Sequence, residues 1–261
     1  MKVEGRIKNK FVKLEEQNKK GLITFITAGD PNTEVSQKIL EGLPSNGADF
    51  IELGMPFSDP MADGPAIQAS SLRALKNGMT TEKLFEQIRN IREEIDVPLI
   101  IMGYLNPIIQ YGIDRFCREC EIIGIDGLII PDLPVDVYNE EYKILFEKHK
   151  LYNMFLITPQ TPEKRIRYID KVSNGFIYMV SSASVTGAKN TFGDSQKDYF
   201  KRISGMRLSS PTVVGFGISN ASTYSTAIEH SNGAIIGSAF INFLEDKGVT
   251  KIADFINSIR D

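Results

Sequence analysis

The chain predicts one closed α/β architecture, a (β/α)8 or TIM barrel spanning residues 1–261 as a single domain. An extra helix stands before the first strand and a short helix follows the eighth. Three observations carry this. Eight short apolar runs recur, each followed by polar turn residues and then a helical pattern. The runs are nearly continuous in apolar residues, as expected of parallel strands buried on both faces. And 261 residues with 42% hydrophobic content suffice for one barrel of this kind. The competing architecture is an open doubly wound sheet. It is disfavoured because Thr27-Ala28-Gly29-Asp30-Pro31, after the first strand, is not the G-x-G-x-x-G dinucleotide fingerprint.

The elements follow in order. Val3 to Asn18 reads as the extra helix, covering the barrel bottom. The strands are Leu22–Ala28, Ala48–Leu53, Pro98–Met102, Gly127–Ile130, Asn153–Ile157, Phe176–Val180, Thr212–Phe216 and Ala234–Ile236. Helices are expected over Thr33 to Leu43, Thr81 to Ile95, Ile113 to Ile123, Val135 to Lys148, Pro162 to Val172, Ser219 to His230 and Thr250 to Ile259. Between 81 and 95, Leu84, Ile88, Ile91 and Ile95 fall at helical spacing. Asn32, Thr81 and Ser219 stand where N-caps belong.

Composition excludes several functions. A net charge of −3 supplies no positive field for nucleic acid or an anionic membrane. The N-terminus lacks the apolar core of a signal peptide and no window approaches a membrane span, so a soluble cytoplasmic protein is expected. The two histidines, His149 and His230, lie far in sequence from the acidic loop described next, which argues against a histidine triad or a multi-histidine metal site. Cys117 and Cys120 form a C-x-x-C pair on an amphipathic helical stretch. With no second pair in the chain, they read as structural thiols of a reducing compartment.

The strongest functional signal is Glu52-Leu53-Gly54-Met55-Pro56-Phe57-Ser58-Asp59-Pro60-Met61-Ala62-Asp63-Gly64-Pro65. A strand that ends in a carboxylate and opens into a loop rich in proline, glycine and acid packs poorly, and parallel barrels carry their reactive groups at strand C-termini. Glu52 closes its strand and should point into the mouth, where apolar surroundings raise a carboxyl pKa into the range useful for moving protons. Asp63, eleven residues on, is expected near solvent, ionised, on a mobile loop. Asp59 before Pro60 reads as a turn or interface residue.

A second signal lies in three late turns: Ser181 to Gly187, Gly215-Phe216-Gly217-Ile218-Ser219, and Gly237-Ser238-Ala239. Small residues expose backbone N–H groups, and a helix starting at Ser238 adds its positive end. Loops after strands seven and eight are the usual phosphate cradle of this fold. Phe25, Tyr104, Ile129, Tyr178, Phe216 and Ile235 fall at or near strand ends and suggest a flat aromatic substrate part beside a phosphate tail. No predicted strand ends in lysine, so Schiff-base chemistry is not indicated. The acidic cluster has no histidine partner, so no metal is expected. Cofactor-free acid–base lyase chemistry fits these residues. A non-enzymatic barrel and a phosphosugar isomerase are the competing readings; the latter lacks a well-placed histidine or lysine electrophile.

At these motifs the chain resembles the tryptophan synthase α subunit family over essentially its whole length. The resemblance rests on Phe25 to Pro31, Glu52 to Gln68, Met102 to Pro107, Pro131 to Pro134, Val185-Thr186-Gly187, Gly215 to Ser219 and Gly237-Ser238-Ala239. It implies a barrel that cleaves indole-3-glycerol phosphate to indole and glyceraldehyde 3-phosphate in tryptophan biosynthesis. Glu52 would be the acid–base residue and Asp63 the acceptor of the indole N–H. Gly187, Gly217, Gly237 and Ser238 would bind phosphate. Phe25, Ile67, Tyr178 and Phe216 would line the indole pocket, and Thr186 belongs to a working loop. The resemblance also implies an αββα complex that passes indole to a β subunit, with pyridoxal phosphate in that partner and no cofactor in this chain. The loops around Asp59, Asn106 and Pro134 would face the partner. A stand-alone lyase remains the alternative. Ser182 and Ser184 replace residues usual in the family before Val-Thr-Gly, so altered closure of the loop from Ser182 to Gly193 is expected.

Overall fold

In a β-strand, side chains alternate between two faces, and closing eight parallel strands on themselves turns one face into an interior. That alternation organises this chain. The structure, a computed structural model, describes residues 5–181 and 191–260. Its strands are β1 (Gly21–Thr27), β2 (Phe50–Gly54), β3 (Leu99–Met102), β4 (Gly127–Ile129), β5 (Tyr152–Ile157), β6 (Ile177–Val180), β7 (Thr212–Gly215) and β8 (Gly233–Ile236). They pair in parallel, in sequence order, and β8 closes on β1. All eight coincide with the sequence-derived runs to within a residue or two.

Every second residue points inward. Ile23, Phe25, Phe50, Ile100, Met102, Ile129, Met154, Tyr178, Val213 and Ile235 belong to one core cluster. The residues between them, such as Leu22, Ile51, Ile101 and Met179, pack in a second cluster between barrel and helices. The helix Arg6–Glu16 closes the bottom, with Ile7, Phe11 and Leu14 buried in the interior cluster. The Phe11 ring lies 4.7 Å from that of Phe50. This is the expected extra helix.

A device that the apolar pattern does not reveal ties the strand beginnings together in pairs. Asp49, Asp126 and Asn232 stand immediately before β2, β4 and β8, and Asn174 three residues before β6. Each accepts a backbone N–H from the preceding strand: Leu22 (3.0 Å), Leu99 (2.9 Å), Asn153 (3.0 Å) and Thr212 (2.9 Å) respectively. Asp126 is also bridged by Arg6 at 3.1 Å and by Arg92 at 2.5 Å.

The helices depart from expectation in several places. Thr81–Gln87 is helical, but the run then tightens into a 3-10 turn, Ile91–Glu93. Arg92 reaches from that turn to the carbonyls of Val97 and Gly124 and to Asp126. The spacing of Leu84, Ile88 and Ile91 is satisfied, since all are buried, without one continuous helix. The caps are Asn32 as expected, but Thr80 rather than Thr81 and Asn220 rather than Ser219. The stretch from Val135 is interrupted by a π-helical turn, Tyr138–Tyr142. The helices Pro65–Lys76, Leu105–Tyr111 and Asp194–Gly205 were not anticipated. The first of these buries Ser70, Ser71 and Ala74, so it shows no apolar period to read.

Asp126→Ala is expected to strip Arg92 of its ion-pair partner, leaving it only carbonyl acceptors, and the Leu99 N–H of its acceptor, costing on the order of 3 kcal/mol in urea unfolding. A loss under about 0.5 kcal/mol would remove Asp126 as a structural tie.

Candidate active site

β2 carries Glu52 two residues after Phe50, so it shares the inward parity. In register it lies between Phe25 of β1 and Ile100 of β3. It is 3% exposed, and its Oε2 has no hydrogen-bond partner among the described residues. Burial, and then the charge of Asp63, push its pKa up to about 8. A barrel interior that leaves a carboxyl oxygen without a partner costs stability, and such a group is retained where chemistry needs it.

Asp63 sits where the loop after β2 enters the helix Pro65–Lys76. Gly64 is the N-cap and Pro65 the first residue, which suits proline because that N–H has no helical acceptor. Gln68 reaches back to the Asp63 carbonyl at 2.8 Å and fixes the turn. Contrary to expectation, Asp63 is not near solvent: it is 6% exposed. Burial raises its pKa to about 6, against the opposing pull of a hydrogen bond from Tyr104 at 3.2 Å. It is therefore still mainly ionised at neutral pH, but in a dry setting.

Both carboxylates line one cavity of about 590 Å³ at the C-terminal mouth. Phe25, Ile67, Ile129, Tyr178, Phe216 and Ile235 stand on its walls, as do Gly217, Gly237 and Ser238. Tyr104 does not. Its hydroxyl is turned to Asp63 and to the Ala62 N–H, which places it behind the acidic loop rather than on the expected pocket wall. Thr186 and Gly187, with Ser182 and Ser184, lie outside the described residues. The wall also contains Met102, Leu156, Ser181, Phe192 and Gln196. Met102 and Leu156 follow Ile100 and Met154 by two residues, so strand parity would have found them. Phe192 and Gln196 arrive from a helix start far from any strand, and nothing local marks them.

At the mouth, after β7, Phe216 and Gly217 both take positive φ, 67° and 78°. This is costly for phenylalanine and natural for glycine. Ser181 Oγ donates to the Phe216 carbonyl at 2.7 Å and holds that turn. The helix Ser238–Lys247 begins beside it with Gly237 as an N-cap that offers no side-chain bond. Its first N–H groups have no helical acceptor and carry the positive end of the dipole. The neighbouring helix Ala221–Ile228, by contrast, is capped by Asn220.

Asp59 is exposed and hydrogen-bonded to Ser58 at 2.5 Å, off the cavity wall. Cys117 and Cys120 are free and buried, the first pushed up to about 12 and the second well above the usual thiol value by burial. Such thiols are inert at neutral pH. Among the described residues, no group of three metal-ligating side chains occurs, and no helix is long and apolar enough to cross a membrane.

Closed barrel and cavity together define the class: a (β/α)8-barrel protein with two interacting buried carboxyl groups, one in β2 and one in the loop after it, in a cavity whose lining includes an uncapped helix N-terminus. The family described as "Tryptophan synthase alpha chain" matches residues 11–259. The tryptophan synthase alpha chain of Flavobacterium johnsoniae is 58% identical over 252 residues, covering 97% of this chain and 100% of that one. The crystal structure of the alpha chain from Legionella pneumophila superposes with a TM-score of 0.88 at 34% identity, covering 99% of this chain and 97% of that one. A Mycobacterium tuberculosis tryptophan synthase structure gives 0.90 at 28% identity, covering 99% and 98%. The chain belongs to the tryptophan synthase alpha chain family.

The pKa of Glu52 has a consequence for stability. The unfolded chain releases this proton near 4.5 and the folded chain near 8. Between those values the unfolded state binds fewer protons, so Glu52 makes stability fall as pH rises. Glu52→Gln removes this penalty, and its stability advantage over the native chain is expected to grow by roughly 3 kcal/mol from pH 5 to pH 8 in urea unfolding. A pH-independent difference would mean that Glu52 is not held protonated.

Proposed function

We propose that the chain is a cytoplasmic carbon–carbon lyase of tryptophan biosynthesis that cleaves indole-3-glycerol phosphate, with Glu52 and Asp63 carrying the reaction. The observation that carries this reading is a buried carboxyl with a partnerless oxygen and a pKa near 8, beside a second carboxylate, in a cavity that ends in backbone N–H donors.

The phosphate sits on the N–H groups at Gly217, Gly237 and Ser238; Gly187 and Thr186, which the family resemblance implies for the same end of the substrate, lie outside the described residues. The indole ring lies among Phe25, Ile67, Ile129, Tyr178, Phe216 and Ile235. Protonated Glu52 gives its proton to indole C3, which places positive charge on the ring nitrogen. Asp63 accepts the hydrogen bond of that N–H and stabilises the charge in surroundings where water does not screen it. The carboxylate thus formed takes the proton of the glycerol hydroxyl on the carbon attached to C3. The bond from that carbon to C3 breaks and its electron pair restores the aromatic ring. Indole and glyceraldehyde 3-phosphate leave, and Glu52 has recovered its proton.

Every proton in this scheme moves through Glu52, so the chain needs no cofactor of its own. Pyridoxal phosphate belongs to a β-subunit partner in an α2β2 complex that receives the indole. The loop after β2 offers that partner a face: Ser58 and Asp59 are exposed, and Met61 is 90% exposed.

Glu52→Gln is expected to lower kcat for indole-3-glycerol phosphate cleavage by about 10²–10⁴-fold. Full activity in that variant would end the catalytic assignment. Asp63 must be ionised and Glu52 protonated at the start, so kcat/KM should form a bell that falls below about 6 and above about 8. Adding a β subunit should raise turnover, and Asp59→Ala should weaken that activation while sparing the basal rate. Turnover indifferent to the β subunit would favour a stand-alone lyase.

A further inference from the structure

Tyr104 follows β3, is 3% exposed, and has no place on the cavity wall. Its hydroxyl accepts the backbone N–H of Ala62 at 3.0 Å and donates to Asp63 Oδ2 at 3.2 Å. A phenol has one proton. With the Ala62 N–H directed at the oxygen, that proton is turned toward the carboxylate. The Tyr104 ring packs on Phe57 with centroids 5.1 Å apart. The next N–H along the chain, of Leu105, is held by both oxygens of Asp132 at 2.9 and 3.2 Å, which ties Tyr104 to the loop after β4. The acidic loop therefore meets one side chain at three points: the Phe57 ring, the Ala62 N–H and the Asp63 carboxylate.

The titratable groups around Asp63 come from several elements. Glu52 faces it from β2 and Tyr178 from β6, while Asp132 acts on Tyr104 itself. Neither Glu52 nor Tyr178 offers Asp63 a hydrogen bond among the described residues; Tyr104 does.

We propose that Tyr104 is a positioning residue for the lyase reaction: its hydroxyl holds the Asp63 carboxylate ionised and aimed into the cavity, and its ring ties that aim to the loop beginning at Phe57. The inference rests on the role given to Asp63 above. It goes further in assigning the orientation and charge of Asp63 to a residue that does not touch the substrate. The bond also accounts for the ionisation at neutral pH of a group whose burial alone favours the protonated form.

Tyr104→Phe in the full chain keeps the ring and its packing and removes both hydroxyl bonds. Losing a donor destabilises the carboxylate, so the Asp63 pKa rises. The acid limb of kcat/KM should move up by about one pH unit, a loss of about fivefold at pH 6 that narrows to about 1.3-fold near pH 7.5. The Asp63 carboxyl carbon, followed by ¹³C NMR, should show the same upward shift in its titration midpoint. Replacing Tyr104 by 3-fluorotyrosine, a stronger donor of nearly the same shape, should move midpoint and limb down, and this variant serves if Tyr104→Phe does not fold. A uniform loss of activity at every pH with an unmoved NMR midpoint would reduce Tyr104 to packing and overturn the proposal. Asp63→Asn separates the two ideas. If it keeps full activity, the catalytic role of Asp63 fails, while the NMR midpoint still reports whether Tyr104 governs the carboxylate.

Discussion

The two-residue alternation of parallel strands closed into a ring is the constraint on which the rest depends. It determines that Phe25, Glu52, Met102, Ile129, Leu156, Tyr178 and Ile235 share one interior, although they are scattered along the chain. A slip of one residue in β2 would carry Glu52 to the helix layer and bring Ile51 or Leu53 inside. The ties at the strand beginnings guard against such slips. Asp49, Asp126, Asn174 and Asn232 each hold a neighbour's backbone at a set register. They act at the bottom of the barrel and so keep the chemistry in place at the top.

The same closure creates the electrostatic character of the mouth. A carboxyl placed among phenylalanine, isoleucine and methionine is denied water, so its neutral form is favoured, and a second carboxylate nearby strengthens the effect. Asp63 is somewhat less buried and receives a hydrogen bond from Tyr104, and its pKa stays lower. Two chemically similar groups are thereby driven apart into an acid and an anion by their surroundings. The rim after β7 and β8 works without side-chain charge. Gly217 and Phe216 turn at positive φ, and the helix from Ser238 presents N–H groups that no side chain caps. The cavity therefore has a carboxylate end and an N–H end, a polarity suited to a substrate with an aromatic head and a phosphate tail.

Among the described residues, the cavity wall takes its late part from Ser181, from the turns after β7 and β8, and from Phe192 and Gln196, and its acidic part from Glu52 of β2 and the loop after it. That loop also carries exposed Met61 and Asp59, so an exposed surface and the buried Asp63 carboxylate are separated by only a few residues.

The barrel was legible in the sequence because each strand is a nearly continuous apolar run, as burial on both faces favours. Glu52 was legible because a carboxylate in such a run has no packing purpose, and Gly217, Gly237 and Ser238 because small residues at strand ends expose backbone. The helix Pro65–Lys76 was not, since its buried face is serine and alanine. The break after Gln87 was not, because the Arg92 contacts that shape it lie some thirty residues away at Gly124 and Asp126. Nor were the surroundings of Asp63: a loop rich in proline and glycine looks exposed, and only its folding back beneath Tyr104 makes it dry. Local composition thus determined which residues are apolar, which are turns and which are chemically out of place. The tertiary structure decided who their neighbours are, and burial, pKa and aim are properties of neighbours.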